Sequence, residues 1–186
     1  IPMAHSIGLL EFAEAEKEVA QVTEEGIKTI KIKIGVDAGR DVEMVRRIRA
    51  VTGDGIDLCV DANNGYTTPG QAIRAIKAME AHTIKYAEQP VEGAARLAQV
   101  ARAVDVPIMA DESAWNAHDV IDLAERRAAQ CISIYTTKSG GLFKSMEVAA
   151  VARGAGMSCN VNGSIETGIG NLANIQLSAA APAVTL

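Results

Sequence analysis

Apolar runs of strand length alternate along the chain with longer segments that carry apolar residues at helical spacing. The clearest strand pattern is TIKIKIG at 29–35, in which isoleucine and lysine alternate. A period of two places Lys31 and Lys33 on one face of the strand and the isoleucines on the other. Six further runs cover 1–8, 56–63, 84–90, 106–113, 131–138 and 157–164. The pattern predicts seven strands.

The segments between these runs read as amphipathic helices. PGQAIRAIKAMEA at 69–81 begins with a proline suited to a first helical turn and repeats apolar residues on one side. DVIDLAERRAA at 119–129 and FKSMEVAAVARGAG at 143–156 follow the same rule, and glycine closes the latter. No linker or change of composition interrupts the series. We therefore expect residues 1–186 to form a single α/β domain of about seven βα units.

Alternating strands and helices imply a parallel sheet, either doubly wound or closed into a TIM-type (β/α) barrel. No glycine-rich phosphate loop follows the first strand, as a dinucleotide-binding fold would require. Polar residues instead gather at the ends of many strands, which is where barrel enzymes build their sites. The sequence favours the barrel.

Charged residues stand at the ends of five successive strand runs. They are Lys33, Asp61, Glu88, Asp111 and Lys138, separated by 28, 27, 23 and 27 residues. Each is expected to close its strand, and in a barrel the five would surround one mouth. This regular placement is the strongest functional signal in the sequence.

Three of these residues, Asp61, Glu88 and Asp111, are acids on consecutive strands. Carboxylate oxygens are the ligands that Mg²⁺ prefers, and Mn²⁺ is the alternative ion. No histidine or cysteine occupies an equivalent position, which argues against zinc or copper. The competing interpretation is that the acids cap helices or pair with lysines.

Lysines stand on the second and sixth strands, which lie opposite one another in an eight-stranded ring. Lys33 and Lys138 could then flank a substrate, with Lys31 as a cationic neighbour that lowers the pKa of Lys33. Together with a metal ion, two such lysines suit removal of a proton alpha to a carboxylate. The alternative is that the lysines are only counter-ions of the acids.

Five motifs in this order, KIK, DANNGY, EQP, ADES and TTKSGG, resemble the signatures of the enolase superfamily and in particular of its muconate-lactonizing-enzyme subgroup. The resemblance implies that Asp61, Glu88 and Asp111 are the metal ligands and that Lys33 and Lys138 are the acid/base groups. Lys31 then lowers the pKa of its neighbour or binds the substrate carboxylate. Lysine bases with Mg²⁺ are a known pattern for this superfamily.

The same resemblance implies supporting roles for four polar residues. Asn63 and Glu112 belong to the surroundings of the metal and the bases. Asn162 and Glu166 lie in NGSIETGIG, which resembles the loop after the seventh strand, near the substrate. A turn or helix-cap role is the alternative for these last two residues and for Asn160.

The resemblance implies an Mg²⁺-dependent isomerase or lyase that acts on a small carboxylate as a racemase, epimerase or cycloisomerase. A syn-dehydratase shares the same first step and is the alternative. A non-catalytic barrel scaffold or binding module is a second alternative. A phosphate-binding barrel enzyme ranks last, because KSGG is a poor phosphate cup.

Composition narrows these possibilities. A net charge of −5 gives no support for nucleic-acid binding, and no apolar run reaches the ~18 residues of a membrane helix. Cys59, Cys131 and Cys159 are widely spaced and read as buried free thiols, which fits a cytoplasmic protein.

A complete barrel needs eight strands in about 250 residues, so we expect the chain to be a fragment without the eighth strand and the capping domain. We expect the full-length protein to be a homo-oligomer.

Overall fold

The computed structural model describes residues 1–186, which divide into two compact units. The N-terminal unit comprises Pro2–Glu92 and Ala103–Pro107. The C-terminal unit comprises Gly93–Arg102 and Ile108–Leu186, together with Ile1. Each unit is described separately below.

The N-terminal unit contains four strands and three helices in strict alternation. They are β1 (Ala4–Ile7), α1 (Phe12–Glu24), β2 (Thr29–Lys33), α2 (Ala38–Thr52), β3 (Asp57–Asp61), α3 (Pro69–Glu80) and β4 (Ile84–Glu88). The four strands pair in chain order and all pairings are parallel. The register sets Lys33 opposite Asp61 and Asp61 opposite Glu88. Three of the predicted charged strand ends are therefore neighbours.

Burial in this unit follows the pattern that the sequence predicts. Ile30 and Ile32 of β2 are fully buried, and Met44 and Ile48 of α2 are also buried. The helix α3 begins one residue after Thr68, which caps it in a capping box with Gln71. The predicted helix at 69–81 is thus confirmed within one residue.

The C-terminal unit contains three strands and five helices. They are α4 (Ala94–Ala101), β5 (Ile108–Ala110), α5 (Ala117–Arg126), β6 (Cys131–Ile134), α6 (Thr136–Ser139), α7 (Leu142–Gly154), β7 (Ser158–Val161) and α8 (Gly168–Ala180). The pairings β5–β6 and β6–β7 are parallel. All seven predicted runs therefore contain a strand, although each strand is shorter than its run.

The run at 131–138 requires a correction. Its strand ends at Ile134, and Lys138 lies on the four-residue helix α6 instead of closing β6. The β-branched and aromatic residues of CISIYTTK predict strand throughout, but the chain turns after Tyr135, and Gly140 ends the helix in a left-handed conformation with φ 90°. Asp111 likewise lies one residue beyond the end of β5.

Two further sequence expectations concern cysteines and membrane helices. Cys59, Cys131 and Cys159 are all buried and free, as predicted. No helix combines the length and the apolar character needed to cross a bilayer.

Candidate active site

Two lysines and two acids form a buried ionic cluster at the carboxyl ends of β2, β3 and β4. Lys31 Nζ lies 2.8 Å from Asp61 Oδ2 and 2.8 Å from Glu88 Oε2. Lys33 Nζ donates to the same Asp61 oxygen at 2.6 Å. The parallel register explains this proximity, because it aligns the ends of adjacent strands. Asp61 is 1% exposed and Glu88 is fully buried.

Burial and charge act in opposite directions on these groups. Burial alone would lower the pKa of Lys31, but the carboxylates of Glu88 and Asp61 outweigh it and raise this pKa above its ordinary value. Burial would raise the pKa of Asp61, yet Lys31 and Lys33 hold it below its ordinary value. Lys31 is therefore positively charged at neutral pH. It is the cationic neighbour that sequence analysis assigned to Lys33.

Asn63 lies beside this cluster, as predicted. Its side-chain oxygen accepts from Lys33 Nζ at 2.5 Å, and its own N–H donates to Asp61 Oδ1 at 3.0 Å. Asn63 adopts a positive φ of 41°, which asparagine tolerates better than most residues. The tight turn after β3 therefore places one amide between the lysine and the acid.

A third buried carboxylate, which sequence analysis missed, fixes the loop after β2. Asp41 Oδ2 accepts from Gly35 N–H at 2.8 Å and from the Tyr66 hydroxyl at 2.9 Å. A Cβ atom at Gly65 would approach Gly35 O to 2.4 Å, so only glycine permits this contact between the loops after β2 and β3. Burial raises the pKa of Asp41 above its ordinary value, although both hydrogen bonds oppose the shift.

The C-terminal unit holds its lysine differently. Lys138 Nζ donates to Asp111 Oδ1 at 2.6 Å, to Asp111 O at 3.0 Å and to Ser133 O at 2.7 Å. The Lys138 side chain is 1% exposed, and its amine lies 4.7 Å from the centre of the Tyr135 ring. A buried ammonium with three oxygen acceptors in this geometry is a strongly bound cation.

The remaining predicted residues of this unit lie in two hydrogen-bonded groups. Asn162 Nδ2 donates to Ser133 Oγ at 2.9 Å. Glu166 accepts from the hydroxyl of Thr137 at 2.9 Å and from Ser164 N–H at 2.7 Å. Slight burial would raise the pKa of Glu166, but these bonds lower it below its ordinary value.

The last predicted residue, Glu112, immediately follows Asp111. Its backbone carbonyl accepts from the indole N–H of Trp115 at 2.8 Å. This bond ties together the turn that follows β5.

The structure thus brings Asp61 and Glu88 together with Lys31 and Lys33, and separately brings Asp111 together with Lys138. It contains no group of three or more histidine, cysteine or acidic side chains in a metal-binding arrangement. A common site for the three acids stays a prediction. The ligand chemistry fits Mg²⁺ or Mn²⁺, since buried carboxylate oxygens are what these ions select.

Comparison with known proteins identifies the family. Residues 14–186 match the family described as enolase C-terminal domain-like. The chain is 37% identical over 163 residues to muconate cycloisomerase 1 of Rhodococcus opacus, covering 84% of this chain and 42% of that protein. It is 35% identical over 178 residues to the L-Ala-D/L-Glu epimerase of Bacillus subtilis, covering 93% of this chain and 47% of that protein.

Solved structures agree with this match. The substrate-liganded L-Ala-D/L-Glu epimerase of Bacillus subtilis superposes with a TM-score of 0.95 at 31% identity, covering 100% of this chain and 53% of that one. A dipeptide epimerase of Enterococcus faecalis, complexed with Mg and L-Leu-L-Tyr, gives a TM-score of 0.94 at 31% identity, covering 100% of this chain and 52% of that one. The predicted fold class, an incomplete (β/α) barrel with seven strands, is confirmed.

The chain spans about half the length of the relatives that it matches. These relatives are epimerases, a racemase and a cycloisomerase, and some of their structures contain Mg. The match nevertheless covers nearly all of the present sequence and includes every residue of the two lysine clusters. The chain belongs to the enolase C-terminal domain-like family, as the resemblance to the muconate-lactonizing-enzyme subgroup predicted.

Proposed function

We propose that the protein is a magnesium-dependent racemase or epimerase that removes a proton alpha to a carboxylate of a small acid. One observation above all supports this proposal: two lysines and two buried acids meet at the carboxyl ends of adjacent parallel strands. Buried ionisable groups whose pKa values are shifted by burial and by specific charged partners are typical of functional sites. Family membership supports the same reaction class.

The proposed roles follow from the contacts of each residue. Lys33 is one acid/base group, because its side chain is 31% exposed while Asp61 and Asn63 orient its amine. Lys31 keeps a positive charge next to it. Lys138 is the second acid/base group, and Asp111 with Ser133 O fixes the direction of its amine. Each amine would have to leave its acceptor in order to take or deliver a proton.

Asp61, Glu88 and Asp111 are the proposed ligands of Mg²⁺ or Mn²⁺. When bound, the ion supplies electrostatic stabilisation of the negative charge that develops on a substrate carboxylate during deprotonation. Asp61 would then bind the ion and also accept from Lys33. The Asn63 N–H, which orients Asp61, would therefore affect both contacts.

Dipeptides are the first substrates to test, because several relatives are named as dipeptide epimerases. The protein is incubated with L-Ala-L-Glu or L-Ala-D-Glu in D₂O with Mg²⁺, and incorporation of deuterium at the alpha carbon is followed by mass spectrometry. Lys33→Ala and Lys138→Met are expected to abolish exchange, each from one isomer. Lys85→Ala is the matched control, because Lys85 is an exposed strand lysine that pairs with the exposed Asp57.

A wild-type protein that exchanges no alpha proton across a broad set of carboxylates would contradict the proposal. A syn-dehydratase is the second candidate, since it shares the first step; it would release water and an unsaturated acid from a 3-hydroxy acid, or water and a 2-keto acid from a 2,3-dihydroxy acid. A cycloisomerase is the third, because muconate cycloisomerase 1 is among the relatives. Product analysis by NMR separates the three activities.

A further inference from the structure

One buried amide joins helix α8 to the short helix that carries Lys138. Asn174 of α8 is 7% exposed. Its side-chain oxygen accepts from both the N–H and the hydroxyl of Thr136, each at 2.9 Å. Thr136 is the first residue of α6 and lies 38 positions earlier in the chain. The two bonds are therefore a tertiary contact.

The helix α6 depends on such a contact because it is short. Four residues form only one helical turn, and an isolated turn is not stable in water. Tyr135, which precedes it, makes no side-chain cap bond. The first N–H groups of a helix lack partners within the helix, and buried N–H groups need one. Asn174 supplies the missing acceptor from another element.

The position of α6 decides what Lys138 can reach. Its amine donates to three oxygens of Asp111 and Ser133, which lie outside α6. A shift of α6 would therefore lengthen all three bonds together. Thr137 provides a second tie through its hydroxyl bond to Glu166, but that bond is exposed, whereas the Asn174 bonds are buried.

We propose that Asn174 is a positioning residue for the reaction: it caps α6 from helix α8 and thereby sets the place of the Lys138 amine. Asn174 contacts neither the lysine nor a substrate in this role. This inference rests on the proposed function, in which Lys138 serves one stereoisomer of the substrate and Lys33 serves the other.

The decisive measurement compares deuterium exchange from the two isomers, with L-Ala-L-Glu and L-Ala-D-Glu as probes. Lys138→Met first identifies the isomer that depends on Lys138. Asn174→Leu is then expected to slow exchange from that isomer by about 10- to 100-fold, the range for a displaced catalytic group. Exchange from the other isomer should stay within about twofold of wild type, because Lys33 belongs to a separate cluster.

Two further variants separate positioning from simple loss of stability. Thr136→Ser keeps both donors to the Asn174 oxygen and is expected to keep most of the wild-type rate. Gln176→Leu is the matched control, since Gln176 is an exposed polar residue of the same helix, and it should leave both rates unchanged. Circular dichroism confirms that each variant is folded.

Amide hydrogen exchange gives a readout that needs no activity. Asn174→Leu should speed exchange of the amides of 136–141 more than those of β6, whereas Thr136→Ser should not. Equal loss of rate for both isomers, or unchanged amide exchange around α6, would overturn the role of Asn174. Failure of the wild-type protein to exchange any alpha proton would instead overturn the proposed function, while the amide measurement still tests the cap.

Discussion

Lys33 and Lys138 are the two proposed acid/base groups, but the two units hold their amines by different means. Lys33 extends from a strand whose register with β3 fixes it opposite Asp61. Lys138 extends from a single helical turn and reaches back to Asp111 and to the backbone of β6. The Asp61 carboxylate that holds Lys33 also faces Lys31, whereas Lys138 is held by Asp111 together with two backbone carbonyls.

This difference separates two ways of placing a charge. In the N-terminal unit, backbone pairing positions the groups and the energy is mainly ionic, with two ammonium groups facing two buried carboxylates. In the C-terminal unit, neutral hydrogen bonds between Thr136 and Asn174 position α6. The Lys138 ammonium donates to Asp111 and to two backbone carbonyl oxygens. We expect the loss of one carboxylate charge to cost more in the second cluster, where the lysine is almost fully buried, than in the first, where Glu88 still faces Lys31.

The largest expected effect is a difference between two matched substitutions. Asp111→Asn removes the carboxylate charge that faces the 1%-exposed side chain of Lys138, and we expect it to lower the free energy of unfolding by about 3–5 kcal/mol. Asp61→Asn should cost about 2 kcal/mol, because Glu88 still faces Lys31 and the side chain of Lys33 is partly exposed. Urea unfolding of the two variants measures both values.

Asp57→Asn is the control for this comparison. Asp57 pairs with Lys85 at the exposed end of the strand, so its loss should cost less than about 0.5 kcal/mol. Equal costs for Asp61→Asn and Asp111→Asn would show that the burial of the lysine and the second carboxylate of the N-terminal cluster do not set these energies.

Sequence analysis predicted the N-terminal cluster better than the C-terminal one. Alternation in TIKIKIG fixed which face carries the lysines, and parallel pairing is enough to bring Lys33 beside Asp61. The predicted position of Lys138 at the end of β6 was wrong. The residues of CISIYTTK favour strand throughout, but hydrogen bonds to distant parts of the chain stabilise a helical turn. No sequence pattern indicated the roles of Asn174 and Tyr66, because their hydrogen-bond partners lie 38 and 25 positions away.

Magnesium provides the next test of the ionic cluster. If Asp61 helps to bind the ion, Mg²⁺ at ten times its dissociation constant should stabilise the wild-type protein by about 1.4 kcal/mol, and EDTA should reverse the gain. Asp61→Asn should lose most of this stabilisation. Asp122→Asn, which alters an exposed pair on α5, should retain it. An equal response of both variants would place the ion elsewhere.

A smaller effect is expected for a neutral contact of the C-terminal cluster. Ser133→Ala removes the hydroxyl that accepts from Asn162 but keeps the carbonyl that accepts from Lys138. The loss of one buried hydrogen bond should cost about 1 kcal/mol by thermal unfolding. Ser164→Ala is the exposed control. A cost above that of Asp111→Asn would reverse the proposed order of contributions in this unit.

The smallest expected effect is a dependence of stability on pH that only one unit should show. The loop after β2 is anchored by the carboxylate of Asp41, whereas α6 is anchored by the amide of Asn174, which does not titrate. Burial raises the pKa of Asp41 above its ordinary value of 3.8. The folded protein therefore binds this proton more tightly than the unfolded chain, so the associated stability is complete below pH 3.8 and is lost as the pH rises through the folded-state pKa.

Melting curves of the wild type and of Asp41→Asn between pH 3.5 and about 7 measure this effect. The wild type should lose stability relative to Asp41→Asn as the pH rises, because only the wild type must ionise a buried carboxyl. The difference in stability between the wild type and Asn174→Leu should stay constant above about pH 5. Glu166, which bonds to the side chain of Asn174, has a lowered pKa and stays ionised in that range. Parallel curves for Asp41→Asn would mean that this carboxyl ionises as easily in the folded protein as in water, and the contrast between a charged and a neutral anchor would then fail.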